Sequence, residues 1–270
     1  MSTVTLVDII QTSIQIMVLV PVIIMFVRIS GRSRNKLLPV FFTFAMISFL
    51  LTDLYWIVYN FLRPDTRNPI AANEIAELAT LLLLSATLEN LIRDKGRFNK
   101  LSVTILAYST VFIGVNIALW IIWSGEWAKD IIFGIPYIYL MYLVSDGIVR
   151  TKAMDLKHSL TVLILSFAVL FMLIATLISS GTLYVAATVA SFICAYVIFG
   201  YTFGKCIGFM TKPDEGVRTV LMAVGAFEWA LLITYISDGW MYIVAGVAVT
   251  STIILMCLAY KKEVSEDDLC

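Results

Sequence analysis

Apolar runs of about 20 residues recur along nearly the whole chain, separated by short polar breaks. A hydrocarbon core about 30 Å thick is crossed by roughly 20 helical residues, so each run is long enough to span a bilayer. Hydrophobic residues make up 60% of the sequence and charged residues 14%, whereas soluble domains average about 45–50% and 25%. The sequence therefore predicts an all-α, polytopic integral membrane helix bundle with about nine transmembrane helices.

The breaks between the runs are rich in Gly, Pro, Asn and charge, as in RPDTRNP and KPDEG. The stretches 159–204 and 217–262 are each too long for one crossing, so each is divided into a hairpin of two spans. The predicted spans are approximately 5–28, 37–62, 71–92, 101–124, 131–149, 159–180, 182–204, 217–238 and 240–261. They form a single transmembrane domain over 1–262, followed by a short acidic cytoplasmic tail over 263–270.

Basic residues divide the loops into two sets. With nine spans, all but three of the 19 basic residues fall on one side of the membrane, and Arg63, Arg67 and Lys129 fall on the other. Because positive charge is retained on the cytoplasmic side, the N-terminus is predicted to lie outside and the C-terminus inside. The first span carries its charges after the apolar run, so we interpret it as a retained anchor and not as a secretory signal. The expected location is the cell membrane.

Carboxylates occur within several predicted spans, where lipid offers them no hydrogen-bond partner. A charged side chain at the centre of a span costs about 2.5–3.5 kcal/mol on insertion scales, so such residues usually face the bundle interior and mark functional sites. Asp53 and Glu77 fall in the outer halves of their spans, and Glu228 falls near the midplane. We expect these three to form one outward-accessible ligand- or ion-binding site. A structural role, in which hydrogen-bonded carboxyls tie helices together, is the alternative.

Uncharged polar residues at comparable depth are candidates for the same site. Asp8 shares one face of the first span with two of them, by the spacing of helix neighbours. Glu74, at the start of the third span, is expected to lie at the membrane interface. The uncharged candidates are Gln11, Gln15, Tyr59, Thr80 and Asn116.

Three glycines at a strict spacing of four, Gly200, Gly204 and Gly208, occur at the end of the seventh span. Rows of small residues let helix backbones approach closely. We expect this row to serve helix packing within the chain. A homodimer formed through the small-residue face of the seventh span is the alternative.

Two short segments, YLVSDG at Tyr142–Gly147 and TYISDG at Thr234–Gly239, are similar in sequence. The first ends its span inside and the second ends its span outside, as an inverted repeat would require. An inverted repeat is therefore a further hypothesis for the architecture.

Several function classes are disfavoured by the sequence. The formal net charge is zero, so a nucleic-acid partner is not expected. With one histidine and four cysteines that lack CxxC spacing, we expect neither a metal site nor a cofactor. HExxH and Gly-rich phosphate-loop motifs are absent, so an enzyme is less favoured than a non-enzyme.

The expected partners are the lipid bilayer and an unidentified small molecule or ion. A multi-helix bundle with carboxylates at depth favours a small transporter or permease. One alternative is a membrane sensor or accessory subunit that binds a ligand outside and a partner inside. A second alternative is an intramembrane enzyme that modifies lipids, with paired acids as its acid–base groups.

Overall fold

A computed structural model describes residues 3–33, 36–62, 72–94, 101–125, 127–237 and 240–269. Within these ranges the fold is all-helical, and each helix contains a stretch long and apolar enough to cross a membrane. The predicted fold class and number of spans are thereby confirmed for the described ranges. The helices are α1 (Thr3–Ser30), α2 (Leu37–Leu62), α3 (Ala72–Asp94), α4 (Val103–Ser124), α5 (Trp127–Thr151), α6 (Leu156–Ile178), α7 (Gly181–Met210), α8 (Gly216–Tyr235) and α9 (Trp240–Leu269).

In the described part of the chain, the other eight helices form a ring around α8. Going round the bundle, each helix packs against the next in the order α1, α2, α3, α5, α4, α6, α7, α9, and α9 returns to α1. The central helix packs against α3, α5, α7 and α9, and it meets α2 and α4 through aromatic pairs such as Phe49–Phe227 and Phe112–Trp229. From Gly216 to Ile233 every residue of α8 except Arg218 is buried. A helix that is apolar all round has no face for water or lipid, which fits this position.

Two glycines allow α8 and α5 to pack closely. A Cβ added to Gly147 would lie 2.5 Å from Leu221 Cδ2, and one added to Gly225 would lie 3.0 Å from Val144 Cγ1. Each glycine is thus a hole that a branched side chain of the facing helix fills, in the manner of ridges packed into grooves. Close approach of the two backbones at this crossing therefore requires glycine at both positions.

The glycine row of α7 does not pack in this way. An added Cβ at Gly200, Gly204 or Gly208 meets no atom of the described residues within 4 Å. The predicted packing of this row within the chain is wrong, because four-residue spacing shows that residues share a face without showing which face is buried. The buried face of α7 instead carries Ala187, Ser191, Phe192, Ala195, Ile198, Phe199, Thr202 and Cys206. The homodimer alternative stays a prediction.

Helix α9 continues through the predicted acidic tail and contacts the turn between α7 and α8. Lys262 Nζ donates to the carbonyl of Phe209 at 2.7 Å and also to that of Lys212, at the end of α7. Glu266 Oε2 accepts the backbone N–H of Gly216, at the start of α8, at 2.8 Å. A cation at a helix C-terminus and an anion at a helix N-terminus both complement the helix dipole. This part of α9 therefore stabilises the end of α7 and the start of α8.

The structure describes the whole of the first SDG segment but only part of the second. In the first, Asp146 is buried and its Oδ2 lies 2.5 Å from Arg150 Nε. In the second, Asp238 and Gly239 lie outside the described residues. The inverted repeat stays a hypothesis.

Contacts at the two ends of the bundle agree with the predicted sorting of the loops. Glu74 and Lys129, both assigned to the outer side, form an ion pair at 3.1 Å. Arg218 and Thr151, both assigned to the inner side, are joined by an Arg218 Nε to Thr151 carbonyl hydrogen bond of 2.7 Å.

The absolute orientation stays a prediction that cysteine labelling tests. In a background without the native cysteines, we expect a cysteine at Thr66 to react with an impermeant thiol reagent added outside whole cells. A cysteine at Gly96 is expected to react only after permeabilisation, because its loop carries the retained positive charge. Both positions lie outside the described residues. The opposite labelling pattern would reverse the orientation.

Candidate functional site

Glu77 is held by hydroxyl groups from two other helices. Its Oε1 accepts hydrogen bonds from Tyr137 on α5 at 3.0 Å and from Tyr235 on α8 at 2.8 Å. Tyr137 is buried, whereas Tyr235, at the end of α8, is 43% exposed. The carboxylate therefore joins α3, α5 and α8 and borders the surface at this end of the bundle.

The two tyrosines that bind this carboxylate pack against a third aromatic ring, that of Trp120. The Trp120 ring centroid lies 4.9 Å from that of Tyr235 and 5.8 Å from that of Tyr137. The Trp120 indole Nε1 is buried and has no hydrogen-bond partner among the described residues. The two tyrosines that contact Glu77 thus belong to an aromatic cluster, and the cluster contains an indole N–H with no partner among the described residues. An indole N–H in this state can serve a ligand, because buried indole donors usually have a partner.

Asp53 on α2 is the second carboxylate of the site. It is 4% exposed, its Oδ2 has no hydrogen-bond partner among the described residues, and it is near enough to Glu77 for the two charges to repel. Thr80 of α3 lies level with Ala45 of α2, so Asp53 is nearer the outer end than Glu77. Because side chains lean toward the N-terminus of their own helix, these two on antiparallel helices lean toward each other. We refer to Asp53 and Glu77 as the carboxylate pair.

Polar residues on either side of the carboxylate pair make structural contacts. One turn before Glu77, Glu74 pairs with Lys129, and the side chains are only 13% and 9% exposed. One turn after Glu77, the Thr80 hydroxyl lies 2.9 Å from the Ala76 carbonyl and 3.4 Å from that of Ala45 on α2. Glu74, expected at the interface, is thus mostly covered and forms an ion pair. Thr80 links the two helices that carry the carboxylate pair.

The polar face of α1 also points into the bundle. Gln15 is buried, and the Gln11 side chain lies against Gly246 of α9, where an added Cβ would be 1.5 Å from its Nε2. Gln11 Oε1 and Asp8 Oδ1 are buried with no hydrogen-bond partner in the described part of the chain. Tyr242 of α9 is within electrostatic range of both Asp8 and Asp53. Acceptor oxygens of α1 therefore extend the acidic region that begins at Asp53.

Glu228 occupies a different position. It is fully buried, and neither carboxyl oxygen has a hydrogen-bond partner among the described residues. Tyr108, whose hydroxyl donates to Ser166 Oγ at 3.1 Å, lies within its electrostatic range. Glu228 precedes Tyr235 by seven residues on α8, which is about 10 Å along the helix axis. The structure therefore brings together Asp53 and Glu77, and it does not join Glu228 to them in one site.

The two remaining predicted residues have local contacts. Asn116 is buried, and its Nδ2 donates to the Phe112 carbonyl of its own helix at 2.9 Å. The Tyr59 ring is stacked on that of Tyr55, with centroids 5.8 Å apart. Neither contact is one that would hold a ligand.

Tyr137, Tyr235 and Trp120 were not among the predicted site residues. Each lies in an apolar span where an aromatic residue is typical of either a packed core or an interfacial belt. A usable signal was their depth, because Tyr137 and Tyr235 fall near the ends of spans on the side where Glu77 begins its own. Among the described residues, no group of three or more His, Cys, Asp or Glu side chains is arranged to hold a metal ion.

Comparison of the chain with models of known protein families, with curated proteins and with solved structures found no match.

Proposed function

We propose that this multi-pass membrane protein is a small transporter, in which the carboxylate pair binds the proton or small cation that is coupled to movement of a solute. The observation that carries the proposal is the placement of two acidic side chains from α2 and α3 within electrostatic range of each other inside an apolar bundle, with no donor to Asp53 Oδ2 among the described residues. The proposed location is the cell membrane, with the pair accessible from outside.

The electrostatics of the pair favour a bound positive charge. Two carboxylates in a low-dielectric interior repel each other, and each also loses hydration. A proton or small cation bound at the pair relieves both effects at once. The hydroxyls of Tyr137 and Tyr235 hold Glu77 Oε1 in place, so that the carboxylate keeps its position when the positive charge is absent.

Glu228 supplies a second buried acid farther along the central helix. Both of its oxygens lack a hydrogen-bond partner in the described structure, and α8 connects it directly to Tyr235 at the carboxylate pair. Ionisable residues inside membrane proteins commonly mark ion pathways and proton relays. In this proposal a proton that leaves the carboxylate pair next binds Glu228, deeper in the membrane.

Reconstitution into liposomes tests the proposal. The purified protein is placed in vesicles that contain a pH-sensitive dye, and a pH gradient is imposed across the membrane. External sodium, potassium and mixtures of small metabolites are then added in turn. We expect at least one addition to cause proton movement that protein-free vesicles lack. Ligand-induced thermal stabilisation without any flux would instead favour the sensor alternative.

A further inference from the structure

A groove between α1 and α9 has features of a lipid-binding site. It has a volume of about 570 Å³ and lies at the end of the bundle that carries most of the basic residues. Three cations line it: Arg28 and Arg32 from α1, and Lys261 from α9. In the described part of the chain, none of the three side chains has a hydrogen-bond or ion-pair partner in another side chain or in the backbone, and all three residues are exposed.

The rest of the groove is mostly apolar. Pro21, Ile24 and Met25 continue the α1 wall toward the membrane centre, and Val264 belongs to the α9 wall. Ile24 is 48% exposed, so this wall is open on its outer side. Pro21 lies seven residues from Arg28, which is about 10 Å along the helix axis. The groove therefore changes from cationic to apolar over the distance that separates a phosphate headgroup from the upper part of an acyl chain.

We propose that this groove binds one anionic phospholipid. The phosphate lies among Arg28, Arg32 and Lys261, and the first part of an acyl chain lies along Pro21, Ile24 and Met25. Basic pockets between transmembrane helices on the cytoplasmic side are suited to anionic headgroups, since each nearby cation attracts the lipid. A soluble phosphate ion would use only the cationic end, whereas a phospholipid uses both parts of the groove.

The position of the groove gives the lipid a structural effect. Helices α1 and α9 pack against each other, and their contact completes the ring around α8. A headgroup held by cations of both helices adds a link between them. Because the lipid binds only the folded bundle, it then stabilises the fold by an amount that rises with the logarithm of lipid concentration above the dissociation constant.

The test compares two lipids that differ only in the headgroup. Delipidated protein in neutral detergent is mixed with dioleoyl phosphatidylglycerol or dioleoyl phosphatidylcholine, and bound lipid is counted by native mass spectrometry, with the thermal midpoint as a second readout. We expect about tenfold or greater preference for the phosphatidylglycerol. The triple variant Arg28→Gln, Arg32→Gln, Lys261→Gln is expected to lose this preference.

A matched triple variant removes the same amount of charge elsewhere. Lys152, Lys157 and Lys205 are predicted to lie on the same side of the membrane, and none of them lines the groove. With all three changed to Gln, we expect the preference to remain. Equal loss in both triple variants, no preference in the unmodified protein, or the same stabilisation by inorganic phosphate alone would each overturn the proposal. Because the readout is a ratio of two lipids within one variant, a change in overall stability does not affect it.

Discussion

Replacing Glu77 with glutamine is expected to reduce coupled proton or cation movement to the level of protein-free liposomes. Glutamine keeps the side-chain length and an oxygen that accepts the hydroxyls of Tyr137 and Tyr235, which lie 3.0 and 2.8 Å from Glu77 Oε1. It cannot ionise, so it removes the charge that the coupling ion binds. The folded protein is expected to keep its thermal midpoint or to gain slightly, because the repulsion from Asp53 is lost. Flux in reconstituted vesicles and thermal unfolding are the two measurements.

A second glutamate of α3 provides the matched control. Glu89 also accepts a hydrogen bond from a tyrosine of α5, since Tyr139 donates to its Oε2 at 3.0 Å. Glu89 lies twelve residues farther along α3, about 18 Å from Glu77 along the axis, and outside the carboxylate pair. We expect Glu89→Gln to leave coupled movement intact. If Glu77→Gln retains full coupling, or if Glu89→Gln loses as much, the assignment of the coupling site to Asp53 and Glu77 is wrong.

Replacing Gly147 with leucine is expected to destabilise the bundle by about 1–3 kcal/mol, the usual range for overpacking a filled core. Even a Cβ at this position would lie 2.5 Å from Leu221 Cδ2, and Leu221 is fully buried in the central helix. Leucine adds three more carbon atoms to the same space, so α5 and α8 have to separate. Thermal unfolding in detergent, and the yield of monodisperse protein, measure the effect.

Gly204→Leu is the corresponding control, because the same side chain added there meets no described atom within 4 Å at its Cβ. Both substitutions give the helix the same intrinsic gain of about 0.8–1 kcal/mol from replacing glycine, so their difference isolates packing. Adding Leu221→Ala to Gly147→Leu is expected to restore part of the lost stability. If the Gly147→Leu protein has the same thermal midpoint as the unmodified protein, the α5–α8 crossing tolerates the added volume and the prediction is wrong.

The number of helices in the described ranges could be predicted from a one-dimensional property, and the predicted orientation of the loops, which stays a prediction, rests on another. Crossing a bilayer requires a minimum apolar length, and loop orientation follows the distribution of Lys and Arg. The ends of α7 and α9 were less predictable, since both helices extend past the apolar segment. Their extensions depend on contacts such as Lys262 with Phe209, between residues far apart in the chain.

The candidate site was predictable in depth but not in lateral arrangement. Asp53 and Glu77 belong to consecutive helices that form a hairpin, so their proximity follows from the chain order. Tyr137 and Tyr235 reach Glu77 only because α3 packs against α5 and α8, which the sequence does not indicate. The same limitation explains Glu228, whose depth is clear from its span while its neighbours depend on the order of helices round α8.

The contact between α1 and α9 that closes the ring has a consequence for biogenesis. The ribosome completes α1 long before α9, so α1 lacks its contact with α9 while the intervening helices are synthesised. Helix α8, with its buried Glu228, enters the bilayer immediately before α9 and has no cover on that side until α9 arrives. During this interval the nascent chain exposes the face of α8 that α9 later covers, and quality-control proteases and membrane chaperones can detect it. Substitutions that delay docking of α9 therefore lower the amount of protein in the membrane, while the molecules that do mature function normally.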